Sequence, residues 1–267
     1  MRTRGIFAIF LFLAGFGAAA GFNAPAAAQQ IRFTMPPDLG YLNVSSARGN
    51  FFSGTGAYFD LVREIFAGTG ITPQFTASES YNEAMQSAMS TSGADFVVGA
   101  VFDERLLGRI DFVPVPILID SVDIIINEGG KHTRGLDMHM LRLLEGRHHV
   151  LALTGLNLPI LRGIKTELFP TVDTAMEEVL STDSILVMPS RFTQGFLDKN
   201  AGLESLAKLK INRHSRTPAT YFIAANRARK NTAIIVGGRP VPLFDLLTER
   251  LGAMESDGRL KKIMLEK

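Results

Sequence analysis

The chain has 267 residues, 46% of them hydrophobic and 20% charged, with a formal net charge of +2. That composition excludes a disordered chain and is long enough for one large domain or two lobes with their own cores. The near-neutral balance gives no electrostatic footprint for nucleic acid, and the absence of cysteine excludes disulfides, thiol catalysis and cysteine-ligated metals.

The N-terminus opens with a basic MRTRG, continues with an uncharged run of apolar and small residues, and ends with Ala26 and Ala28 as an A-x-A pair. This reads as a secretory signal peptide over residues 1–28, with the mature chain starting near Gln29. The alternative is a retained anchor. The short apolar core ends in alanines, whereas a spanning helix wants about 20 apolar residues. An exported, periplasmic protein whose mature form does not span the membrane is expected. Residues 31–36 read as a first strand, followed by a Gly-, Asn- and Ser-rich loop to Gly56 that carries Tyr41, Phe51 and Phe52. Helical periodicity over 57–68 stops at Gly68 and Gly70. A strand (71–77), a helix (78–93, N-capped by Ser78 or Ser80) and a continuous apolar strand (94–101) complete a β-α-β-α-β pattern. A parallel sheet covered by helices is therefore expected.

A short helix is predicted at 103–110 and a strand at 122–127, followed by a loop, EGGKHTRG. A second alternating set comes next: helix over LDMHMLRLLEG, strand over HHVLALTG, and helix over NLPILRGIKTELF. Helix over TAMEEVLSTD, strand over SILVMPS and helix over RFTQGFLDKN complete the set. A return strand is predicted at 220–228, and two closing helices are hinged at Asp257-Gly258. The strands near 122–127 and 220–228 join two α/β lobes: residues 29–124 plus 220–267, and residues 125–219.

This order of pieces resembles the periplasmic solute-binding proteins of the amino-acid transporter type, the family 3 extracellular binding proteins. The resemblance runs from about Ile31 to Lys267. It rests on Gly56-x-x-x-Asp60-Leu61, Tyr81-Asn82, Asp95-x-x-x-Gly99, Asp103-Glu104-Arg105 followed by Ile110-Asp111-Phe112, and Asp257-Gly258 with Lys262-Ile263. It implies a type II two-lobed α/β fold, each lobe a mostly parallel sheet flanked by helices, with two crossing strands as the hinge and a ligand cleft between the lobes.

Arg105 leads the candidate site. The resemblance implies that it grips a ligand carboxylate through its planar guanidinium; the alternative is a surface arginine paired to Asp103 or Glu104. Where relatives carry hydroxyls, Phe102 stands, either to pack on an apolar ligand or to fill the core. Thr154 and Asn157 lie at a strand-to-helix turn suited to an anion, although Asn157 can equally be an N-cap. Where relatives end a strand in an aspartate that binds the ligand's α-amine, this chain has Pro189, Ser190 and Arg191. A buried ammonium without a counter-charge is costly, so the expected ligand is carboxylate-bearing or partly apolar and not a standard α-amino acid. Arg191 is read either as a second cleft cation or as part of a solvated helix face. Tyr41 and Tyr81 are aromatic candidates for the cleft wall.

His148 and His149 are strand neighbours that point to opposite faces, so no metal site is expected. No nucleophile elbow, phosphate loop or dinucleotide fingerprint occurs, and neither an enzyme nor a cofactor is expected. The expected function is capture of a small molecule, delivered to an inner-membrane ABC permease. The alternatives are a periplasmic accessory or sensory protein serving an enzyme or receptor, and a dehydratase-like enzyme on the same fold.

Overall fold

The computed structural model describes residues 30–36, 43–48, 51–128, 141 and 148–265. The expected signal peptide, Tyr41 and most of the helix expected over LDMHMLRLLEG lie outside the described residues.

The first lobe is built on β1 (Arg32–Met35), β4 (Gln74–Ala77) and β5 (Phe96–Val101), all parallel, with β1 in the middle. Every residue of β5 is buried, as a strand covered on both faces requires. Helix α1 (Ala57–Phe66) turns Tyr58, Phe59, Leu61, Val62, Ile65 and Phe66 inward. Phe33 on β1 stacks on Phe96 at 5.2 Å and meets Phe66 edge-on at 5.8 Å, which makes an aromatic core under the helix. Helix α2 (Tyr81–Met89) starts at Ser80, whose hydroxyl accepts the Glu83 N–H while Glu83 reaches back to the Glu79 N–H.

The segment expected as a loop before α1 contains an antiparallel hairpin, β2 (Asn43–Arg48) with β3 (Phe51–Thr55). Gly49-Asn50 between two short runs was a hairpin signal that the polar composition masked. The short helix expected at 103–110 is a single 3₁₀ turn, Glu104–Leu106, followed by β6 (Ile110–Phe112).

Strand β7 (Leu118–Asn127) leaves this lobe and enters the second, where β8 (Val150–Leu153), β9 (Thr166–Phe169) and β10 (Ile185–Pro189) lie. Helices α3 (Val172–Ser181) and α4 (Ser190–Lys199) flank them. The helix expected over NLPILRGIKTELF is absent. Pro159 opens only a 3₁₀ turn, Gly163 adopts φ +80, and the chain re-enters the sheet as β9 parallel to β8. With no helix there, Asn157 caps none, and the anion site that a helix N-terminus would offer is lost as well.

The return strand is much longer than expected. β11 (Leu209–Asn226) pairs antiparallel with β7 in the second lobe and with β5 and β6 in the first. Its register with β7 shifts between His214 and Ala219, around Pro218, which has no N–H to give the ladder. Among the described residues the sheet is nine-stranded, in the order β4-β1-β5-β11-β7-β10-β8-β9 with β6 on β11. A hairpin, β12 (Ala233–Val236) with β13 (Arg239–Pro242), precedes α5 (Leu243–Ser256) and α6 (Arg259–Leu265). Asp257 accepts the Arg259 N–H, and Arg259 donates to Glu64 at 2.5 Å, so the closing helices dock on α1 in the first lobe.

Candidate functional site

Two neighbouring regions lie where the lobes face each other. The outer one is a groove of about 870 Å³. Phe102, Asp103, Glu104 and Arg105 form its first-lobe side, and the segment from Ala152 to Leu168, with Leu156, Leu158 and Ile164, forms the other. Phe102 is 37% exposed to the groove while its ring rests on Phe112 at 5.1 Å and Phe222 at 6.0 Å, so it serves as both wall and packing. Arg105 extends into solvent with 70% of its side chain exposed. Asp103 accepts from its Nε at 3.1 Å and its Nη2 at 3.1 Å, and this pairing holds the guanidinium above its ordinary pKa. Across the groove, Arg162 of the second lobe lies 3.5 Å from Glu104 of the first.

The inner region is occupied by a cluster of the chain's own polar side chains. The N-terminus of α4 lies against β7 there. Ser190 donates to Asp123 on β7 at 2.7 Å, and Arg213 on β11 donates to the same carboxylate oxygen at 3.1 Å. Asp123 is fully buried, so these two donors offset the cost of keeping its charge away from water. The Arg191 N–H donates to Asp120 Oδ2 at 2.9 Å, and its Nε lies 3.9 Å from the same oxygen. Burial raises the Asp120 carboxyl above its ordinary pKa; the Arg191 N–H and guanidinium pull the other way but do not cancel it.

The Arg191 side chain then crosses to the first lobe. Its Nη1 donates to Tyr58 Oη at 2.8 Å, and its guanidinium lies 4.7 Å from the centre of the Tyr221 ring and 5.9 Å from that of Tyr58. Tyr58 reaches this point only because Gly99 has no side chain: a Cβ there would sit 2.5 Å from Tyr58 Oη. A third lobe-to-lobe contact is backbone to backbone. A Cβ on Gly155, at φ +82, would come within 2.9 Å of Asn82 Cα.

Phe102, Arg105 and Asn157 therefore meet in the outer groove, and Ser190 and Arg191 in the inner cluster. Thr154 and Tyr81 belong to neither. The Thr154 N–H donates to the Phe169 carbonyl, and Tyr81 is buried with its hydroxyl accepting the Val101 N–H. Arg191 is 7% exposed, which corrects the alternative of a solvated helix face. Sequence reasoning missed Tyr58, Asp120, Asp123 and Tyr221. It looked for an acid next to Pro189 along the chain, but the acids arrive from the neighbouring strand, where Met188 pairs with Asp123. Two aspartates inside an apolar strand, LIDSVDIII, were the available signal.

Among the described residues no cluster of His, Asp and Glu is placed to hold a metal, and no helix is long and apolar enough to cross a membrane.

No family model matches the chain, and neither does any curated protein. Solved structures do. An ancestral arginine-binding protein bound to glutamine aligns at 18% identity over 88% of this chain and 95% of its own, with a TM-score of 0.64. An amino-acid ABC transporter substrate-binding protein from Streptococcus pneumoniae, bound to L-arginine, aligns at 14% identity over 89% and 93%, with a TM-score of 0.63. A histidine kinase sensor domain with similarity to periplasmic binding proteins aligns at 19% identity over 88% and 94%, with a TM-score of 0.66. The likeness is one of fold: the chain has the two-lobed architecture of periplasmic binding proteins, as the sequence resemblance implied.

Proposed function

We propose that the protein is exported to the periplasm and captures a small molecule in the outer groove between its lobes, without transforming it. The groove itself carries this reading. Its volume of about 870 Å³ suits a small organic ligand, and both lobes contribute walls, so a ligand there favours the closed state. Phe102 and Leu168, both exposed, offer apolar surface, and Arg105 offers an exposed guanidinium. That pairing fits a partly apolar carboxylate whose charge competes with Asp103 for Arg105. A ligand ammonium is poorly served: Asp103 is engaged by Arg105, Glu104 by Arg162, Asp123 by Ser190 and Arg213, and Asp120 by Arg191. The amino acids held by the aligned structures are therefore not the proposed ligands here. An inner-membrane ABC permease is the proposed recipient.

A thermal-shift screen over carboxylates, amines, sugars and apolar compounds tests the reading, because a ligand selective for the folded chain raises its apparent stability. The largest shift is expected from a carboxylate with an apolar body. Arg105→Ala should weaken that binding by about 10- to 100-fold, the scale of a hydrogen-bonded charge. Larger shifts from common α-amino acids would overturn the ligand class. The inner cluster, where Ser190, Arg213 and Arg191 take up both aspartates, favours a second reading, an accessory or sensory protein on the same fold. A screen in which nothing shifts the wild-type chain selects it.

A further inference from the structure

We infer that Arg191 is an internal ligand: its guanidinium occupies the inner cleft and latches the two lobes closed with no solute bound. Four observations converge. Arg191 is the second residue of α4 in the second lobe, yet its Nη1 bonds to Tyr58 Oη on α1 of the first lobe at 2.8 Å. The cation is buried, with 4% of its side chain exposed. It is flanked by groups that suit a guanidinium: the Tyr221 ring at 4.7 Å on one crossing strand and the Asp120 carboxylate at 3.9 Å on the other. The first lobe is shaped to receive it, because Gly99, at φ +85, leaves the space through which Tyr58 reaches the cleft.

A buried cation is costly unless its surroundings compensate it; Nη1 has its hydrogen bond to Tyr58, while Nε and Nη2 make none among the described residues and rest on the Asp120 charge and the aromatic rings. Here the favourable surroundings exist only when the lobes are together, since Tyr58 comes from one lobe and α4 from the other. Opening the cleft removes the Tyr58 contact and hydrates the guanidinium. The closed state thus carries its own bound cation, where a binding protein of this shape would otherwise depend on a solute contacting both walls. The latch stands apart from the outer groove, so it holds or fails whether or not that groove takes a carboxylate.

The test removes the side chain and supplies it again. Arg191→Ala leaves a space that matches ethylguanidinium. In solution scattering, the variant should show a larger radius of gyration than wild type. Millimolar ethylguanidinium should restore the smaller radius and raise the variant's melting temperature by a few degrees, on the order of 1 kcal/mol of binding. It should leave wild type unchanged, and ethylammonium should do less than the guanidinium. A variant radius equal to that of wild type, or a guanidinium shift no larger in the variant than in wild type, overturns the inference. If Arg191→Ala does not fold, Tyr58→Phe carries the test, because it keeps the ring and removes only the acceptor. A larger radius with an unchanged circular dichroism spectrum supports the latch, and an unchanged radius overturns it.

Discussion

A methyl group on Gly99 would press on the Tyr58 ring at 2.5–2.9 Å, in a backbone region that side chains avoid. Gly99→Ala is therefore expected to cost about 3 kcal/mol, from strain and overpacking together, and to lower the melting temperature by roughly 5–10 °C. Pairing it with Tyr58→Leu should recover part of the loss, a non-additivity that a double-mutant cycle measures. Asp120 makes a prediction of opposite character. Its folded-state pKa is raised by burial, so the folded chain holds the proton more readily than the unfolded chain does. Its contribution to stability is fullest below the ordinary aspartate range and declines as pH rises through the raised value. Urea titrations from acid to neutral pH should show that decline in wild type and a flatter profile in Asp120→Asn. Arg105 was legible in the sequence because a motif frames it, and its pairing with Asp103 was the weighed alternative. Asp120, Asp123 and Tyr58 were not, because their neighbours come from other strands and helices.

Among the elements, the apolar runs and the capped helices were read correctly from the chain: β5, α1, α2 and α4 fall where periodicity and Ser or Gly punctuation put them. The segment from Asn157 to Phe169 was misread, because its spaced apolar residues fit a helix and a folded-back strand equally well; Pro159 and Gly163 decide for the strand. The turn before it touches the opposite lobe, where Gly155 meets Asn82. Gly155→Ala should widen the molecule in solution scattering. Gly163→Ala is the matched control, since Gly163 has similar φ strain at +80 but nothing within 4 Å of an added Cβ. It should lower stability without widening the molecule. Equal radii for the two variants would count against closure through Gly155.

For the whole molecule, the first expectation concerns the N-terminus. Expressed in a Gram-negative host, the protein should be recovered from the periplasmic fraction with its mature N-terminus near Gln29, as N-terminal sequencing would show; recovery with residues 1–28 attached to the membrane would overturn export by a cleaved signal. The two-lobed plan was legible because β-α alternation repeats on either side of β7. The extent of β11 was not, since Pro218 interrupts the pattern that would have announced one long strand. That strand also governs the order in which the chain acquires its structure. β11 pairs with β5, β6 and β7, all formed from segments synthesised well before it. Until residues 209–226 emerge, the inner edges of β5 and β7 have no common partner, and neither half of the sheet can close on the other. Such distant pairing makes folding slow. A sheet whose central strand must pair with segments this far back along the chain leaves those strand edges exposed to other chains until it is in place.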